Sequence, residues 1–271
     1  MADPTMLRSR LLAREHLIGT FVKTPTTHAT EILGALGFDF VVIDEEHAPF
    51  DRMATDAALL AARAVGTAAL VRVSSATSIL SVLDCGATGV LVPHVASAAR
   101  AREVAAICRY QGGRRGYSGS PRHAGYGATG MWKTVEAADA ATTVITQIED
   151  PEALDEIDAI ATVDGIDALF IGRGDLAVAL GENPPMPPRC AARLNGSARP
   201  HAPPASPSAC SSVARPRHRG CATRERPRSW SPPTRASCAR RRPRLWPRSA
   251  RSAHPPTLLK LRVLMPDARH R

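Results

Sequence analysis

From residue 18 to residue 183 the chain alternates short apolar, β-branched runs with longer stretches whose apolar residues recur every three or four positions. The first kind reads as buried strand, the second as amphipathic helix. Ile18 to Val22 predicts a strand, and Thr27 stands where it can cap a helix that turns Ala29, Ile32, Leu33 and Leu36 inward and stops at Gly37. Phe40 to Asp44 predicts a second strand, Arg52 to Val65 a helix ended by Gly66, and Ala69 to Val73 a third strand that carries Arg72. A helix holding Ile79, Val82 and Leu83 ends at Gly86. The fourth strand, Gly89 to Val92, is stopped by Pro93, and the next helix sets Ala101, Val104, Ala105 and Cys108 on one stripe. Val144 to Glu149 is the fifth strand. Asp150 and Pro151 take the N-cap and first position of a helix that buries Leu154, Ile157 and Ala161, and Ala168 to Ile171 is the sixth strand. The stretch RYQGGRRGYSGSPRHAGYG is too rich in glycine for a regular element, and its length predicts a substrate-facing loop.

Strand and helix in strict succession, with no sign of a reversal, predict a parallel sheet with right-handed crossovers, either a TIM (β/α)8-type barrel or a doubly wound sheet. No GxGxxG follows the first strand, which favours the barrel. A barrel needs eight strands, and the last two would fall where the character of the chain changes.

Composition marks that change. Residues 1–188 contain 15 Lys and Arg against 23 Asp and Glu, a net charge of −8; residues 189–271 contain 20 against 2, a net of +18. The overall +10 is therefore a property of the C-terminal segment, and we divide the chain into an incomplete barrel domain, 1–188, and a tail, 189–271. The tail has no helical or strand period and is dominated by Arg, Pro, Ala and Ser, a composition that cannot offset chain entropy by burial and predicts disorder. A nucleic-acid tail would mix Lys with Arg or interleave aromatic residues, and this one has a single lysine, Lys260. A zinc module would pair its cysteines at short spacing, and Cys190, Cys210, Cys221 and Cys238 are not so paired. Translation of a GC-rich gene out of frame after about Pro188 explains the composition best, and would leave the barrel truncated after six strands. No signal peptide opens the chain and no segment approaches 18 uninterrupted apolar residues, so a cytoplasmic protein without membrane contact is expected. Cys85 and Cys108 read as buried thiols.

The chemistry collects at strand ends. VVIDEEHAP delivers Asp44, Glu45, Glu46 and His47 just past the second strand; Asp44, Arg72, Glu149 and Asp175 each end or follow a different strand, which places all four at the C-terminal mouth of a barrel. Alone, such a charged turn would be a solvated surface feature, and Asp175 would be a helix cap. Together, two carboxylates from neighbouring strands, Glu149 and Asp175, are the pattern for Mg²⁺ or Mn²⁺ completed by water and substrate oxygens. Gln147 alternates with Ile148 and so shares the inward face of Glu149. A buried glutamate without a cation would be costly.

The segments GFDFVVIDEEHAPFD, LVRV, SVLDCGATGVLVPHV, RYQGGRRGYSG, VITQIED and GIDALFIGRGDLAVALG, in this order, resemble the HpcH/HpaI aldolase family of metal-dependent pyruvate aldolases related to citrate lyase. The resemblance implies a barrel of the pyruvate/phosphoenolpyruvate superfamily and a class II aldolase that cleaves a 4-hydroxy-2-oxo acid to pyruvate and an aldehyde. By position it implies that Glu149 and Asp175 hold the cation, that Arg72 stabilises the enolate oxygen and that His47 is the general base. Gln147 and the backbone around Gly174 would position the substrate. Asp84 matches the residue that orients the histidine; standing at the far end of its helix, it would reach a His47 only across a subunit interface, which implies a homo-oligomer. Glu45 and the Arg173–Gly174 pair depart from the residues common in the family and bear on substrate preference.

Other chemistries compete. A CoA-ester lyase of the citrate-lyase β type would share the fold, although EEHAP and QIE favour the aldolase branch. A Schiff-base aldolase would need a strand-end lysine, for which Lys23 is the candidate. An inactive frame-shifted product whose tail binds nucleic acid non-specifically stands apart from both.

Overall fold

The computed structural model describes residues 3–181 and a short strand at 263–264; the tail expected from residue 189, with its predicted disorder, otherwise lies outside the described residues. The chain divides into two units, and all described residues belong to the one made of Met1–Pro204 and Leu258–Arg271.

A 3-10 turn, Pro4–Met6, leads into α1 (Leu7–Leu12), after which strands and helices alternate: β1 (Gly19–Val22), α2 (Thr27–Ala35), β2 (Phe40–Asp44), α3 (Arg52–Ala64), β3 (Ala68–Arg72), α4 (Ile79–Asp84), β4 (Gly89–Val92), α5 (Ala98–Cys108), α6 (Met131–Ala141), β5 (Thr143–Ile148), α7 (Pro151–Asp155), α8 (Ile157–Ala161), β6 (Ala168–Ile171) and α9 (Arg173–Ala179). The six strands β1 to β6 pair in sequence order and all in parallel, forming the wall of a barrel as expected. The expected truncation after six strands leaves no further parallel strand among the described residues; β7 (Val263–Leu264) lies antiparallel against Leu169 and Phe170 of β6.

Alternation along each strand sorts side chains onto two faces. Val41, Ile43, Val71, Val90, Val92 and Val144 pack with the helices. Phe40, Val42, Leu70, Leu91, Ile145 and Phe170 form the interior, joined there by Leu7 and Leu11 of α1. The polar face of α1 holds it across the N-terminal end of the strands: Arg8 Nε donates to Asp167 Oδ1 at 2.9 Å just before β6, and Arg10 Nη2 to Asp39 Oδ1 at 2.8 Å just before β2. That end is closed, and polar chemistry is left the other.

Several local expectations change. The α2 stripe is narrower than its periodicity suggested, for Ile32 and Leu36 are 59% and 69% exposed, and its N-cap is Thr26. The helix expected after Asp150 breaks into α7 and α8 at Glu156, whose carboxylate accepts the amide of Ala98 at 2.8 Å and so starts α5. Cys108 is fully buried, and burial pushes its thiol up to about 12. Among the described residues no helix is long and apolar enough to cross a membrane.

Candidate metal and active site

Asp44 and Arg72 close neighbouring strands on the interior face, so register brings them together: they are direct partners in the β2–β3 ladder. Arg72 Nε donates to Asp44 Oδ1 at 2.9 Å and Nη2 to Oδ2 at 2.7 Å. Both residues are buried, so each charge depends on the other for the solvation it has lost. Phe21 lies 4.8 Å from the guanidinium, and Lys23 Nζ adds a contact to Asp44 Oδ2 at 3.3 Å. Burial by itself raises the pKa of Asp44, but the hydrogen bonds from Arg72 and from the His47 amide outweigh it and hold the carboxyl below its usual range. Asp44 Oδ1 also accepts the amides of Glu46 and His47, each at 3.2 Å, and this shapes the turn that follows.

The turn sends three side chains three ways. Glu45 goes outward to the hydroxyl of Thr55 on α3, at 2.8 Å, with burial raising its pKa. Glu46 turns back over the mouth, its Oε2 3.3 Å from Arg72 Nε yet without a hydrogen bond. His47 stands at the rim with its side chain 53% exposed and Nε2 3.8 Å from Glu46 Oε2.

Glu149, just past β5, is 3% exposed. The His94 amide donates to its Oε1 at 2.9 Å, and the side-chain amide of Gln147 donates to its Oε2. Gly172 keeps a space open beside it, since a Cβ there would lie 2.6 Å from Glu149 Cβ and 3.1 Å from Oε2. Burial pushes the Glu149 carboxyl up, only partly countered by His94 and Gln147. His94 follows β4 with a left-handed backbone, φ 54°, which a non-glycine residue rarely adopts. Its Nδ1 is 3.1 Å from Asp150 Oδ1 and its Nε2 3.7 Å from Glu46 Oε1. The hydrogen bond to Asp150 raises the imidazole pKa. This also explains why Asp150, though at the N-cap of α7, makes no capping bond.

One ligand atom from each of Glu46, His94 and Glu149 thus lies within 4.8 Å of the others. Two carboxylates, one of them buried and disfavoured as a bare anion, and an unpartnered Oε1 on buried Gln147 fit a divalent cation.

The structure brings Arg72, Gln147 and Glu149 into this cluster and sets His47 at its rim. Asp175 stands exposed in the first turn of α9, outside the trio, and Gly174 beside it faces open space. Asp84 lies elsewhere: it ends α4, 3.5 Å from Arg115 Nη2 and 3.4 Å from His123 Nδ1. The glycine-rich stretch is there too, with Arg122 donating to the Cys85 carbonyl at 2.6 Å and to Asp56 at 2.9 Å. The stretch expected to be a substrate-facing loop thus packs beside α3 and α4. It leaves the C-terminal end of α5, and in a parallel strand-helix unit that end lies opposite the C-terminal ends of the strands.

From sequence, Glu46 is delivered to the strand end without a role, and His94 is passed over. Their signal was the same one that flagged Glu149, an ionisable residue directly after an apolar strand, but in both a turn decides where the side chain goes.

The profile of the HpcH/HpaI aldolase/citrate lyase family matches residues 17–186. Over 171 residues the chain is 36% identical to a hydroxypyruvate/pyruvate aldolase of Roseobacter denitrificans, covering 62% of this chain and 66% of that protein. A 5-keto-4-deoxy-D-glucarate aldolase of Shigella sonnei is 35% identical over 185 residues, 66% of this chain and 70% of that one. The chain thus spans about two thirds of the length of these relatives. The crystal structure of a family protein from Burkholderia cenocepacia superposes with a TM-score of 0.66 at 29% identity, over 71% of this chain and 80% of its own.

Proposed function

The chain belongs to the HpcH/HpaI aldolase/citrate lyase family, and on that premise we propose that it is a metal-dependent carbon-carbon lyase that cleaves a 4-hydroxy-2-oxo acid to pyruvate and an aldehyde. The observation that carries this reading is the buried Glu149 carboxylate gathered with Glu46 and His94 beside the Arg72 guanidinium.

Glu149 would hold the cation, Mg²⁺ or Mn²⁺, together with Asp175 as the family pattern implies. A cation bound there supplies Lewis-acid charge to the keto oxygen. Arg72 brings a fixed positive charge to the oxygen at which the enolate develops, and it is pre-oriented by its two bonds to Asp44. His47, exposed at the rim, takes the proton of the 4-hydroxyl while the C3–C4 bond breaks, its electron pair passing toward the C2 oxygen. Reprotonation at C3 then yields pyruvate. Gln147 and the Gly174 backbone position the 2-oxo acid. Asp84, far from the mouth of its own sheet, would orient the histidine of a second copy, so a homo-oligomer, resident in the cytoplasm and without nucleic acid as partner, completes the reading.

Glu149→Gln tests it. The variant should lose Mn²⁺ binding, read by calorimetry, and pyruvate formation from 4-hydroxy-2-oxo acids; unchanged binding and turnover would overturn the assignment. Borohydride trapping of a pyruvate adduct on Lys23 would instead establish imine chemistry.

A further inference from the structure

We propose that His94 is a direct ligand of the cation, through Nε2, and that it tunes the site toward transition ions with affinity for nitrogen rather than toward Mg²⁺. The proposal rests on the metal reading above and adds to it a residue and a selectivity.

Both faces of His94 are arranged for this. Ligating histidines commonly donate their second ring N–H to a carboxylate, which fixes the tautomer and aims the other nitrogen. Here Asp150 Oδ1, 3.1 Å from Nδ1, is that carboxylate, free of any capping bond though it stands at the N-cap of α7, and Glu149 Oε1 lies 3.4 Å from the same nitrogen. An N–H on Nδ1 leaves the lone pair on Nε2, which faces Glu46 Oε1 at 3.7 Å, a separation two ligands of one ion can adopt. The backbone of the same residue grips Glu149 Oε1 at 2.9 Å, and it reaches that oxygen from a left-handed conformation, φ 54°. A residue other than glycine is strained there, and the imidazole is what the glycine would lack. Two carboxylates alone would suit Mg²⁺ or Mn²⁺; an added imidazole shifts affinity toward Co²⁺ and Zn²⁺.

The backbone geometry supplies a clean test. His94→Gly accepts φ 54° without strain and so keeps the amide on Glu149 while removing the imidazole; His94→Asn, also tolerant of that conformation, is the second variant. Co²⁺ and Mg²⁺ are titrated by calorimetry into the full chain, and the visible spectrum of the Co²⁺ form is recorded. Both variants should lose Co²⁺ affinity by at least about tenfold and change the Co²⁺ spectrum, with Mg²⁺ affinity unchanged. An unaltered Co²⁺ to Mg²⁺ ratio and spectrum in both variants, with binding still abolished by Glu149→Gln, would overturn the ligand role of His94 and leave the metal site standing. Failure of the unmodified chain to bind either ion in a Glu149-dependent way would overturn both.

Discussion

Arg72 meets Asp44 through two parallel hydrogen bonds, 2.9 and 2.7 Å long, between the last residues of adjacent strands. A pair so buried adds little stability as a pair, yet removing one partner strands the other charge. Arg72→Ala should therefore destabilise the fold by about 3–5 kcal/mol as well as abolish turnover. Arg72→Lys, which keeps the charge and loses the fork, should fold better than it catalyses. Urea unfolding beside a pyruvate assay checks both; an Arg72→Ala chain as stable as the parent would show that the pair is not closed to water.

The same pair sets an acid limit. Because the Asp44 pKa is lowered in the folded chain, its contribution to stability is complete above the ordinary value of 3.8 and is lost as pH falls through the lower folded value. The stability gap between the parent and Asp44→Asn should thus stay constant from neutral pH down to 3.8 and close below it. Denaturant midpoints measured over that range decide the matter, and a gap that narrows above pH 5 would contradict it.

The His47 side chain is half exposed, with its Nε2 3.8 Å from Glu46 Oε2. His47→Ala should lower turnover by about 10²- to 10⁴-fold, the usual contribution of a general base, with stability and metal affinity unaltered. Loss of metal along with activity would move His47 from the rim into the coordination sphere.

Gly172 has an ordinary backbone, φ −77°, so Gly172→Ala tests space rather than strain. Its methyl would fall 2.6 Å from Glu149 Cβ, forcing the carboxylate to shift. Mn²⁺ affinity should drop and, because the clash is with a buried Cβ rather than the tip of a flexible side chain, stability should fall by about 1–3 kcal/mol as well, as titration and melting curves would show. Full Mn²⁺ affinity would mean that Glu149 is not held in place by this cradle.

The strands were legible because burial on both faces writes continuous apolar runs, and alternation about Ile148 then set Gln147 and Glu149 on one face. What sequence did not disclose depends on turns and short elements. α1 offers only Leu7 and Leu11 as a pattern, too little to define a period, and α6 is diluted by alanine. Glu46 and His94 reach the site through an Asp44-capped turn and a left-handed residue, neither of which leaves a periodic trace. The exposed Ile32 and Leu36 show the opposite failure, a helical stripe broader than the face the sheet covers.

The helix that closes the N-terminal end of the strands also imposes an order on the chain's assembly. Arg8 is anchored by Asp167, 159 residues later, so α1, which can meet Asp39 early through Arg10, cannot complete its docking until nearly the whole described wall has been synthesised. During that interval Leu7 and Leu11 remain in water, and the interior they will cover stays open at its base. A contact between such distant partners closes a large loop, which slows the final step relative to the local pairing of β2 with β3 or β3 with β4. Seating α1 is therefore a late event in folding, and the nascent barrel wall is most exposed to chaperones and to its own copies just before it.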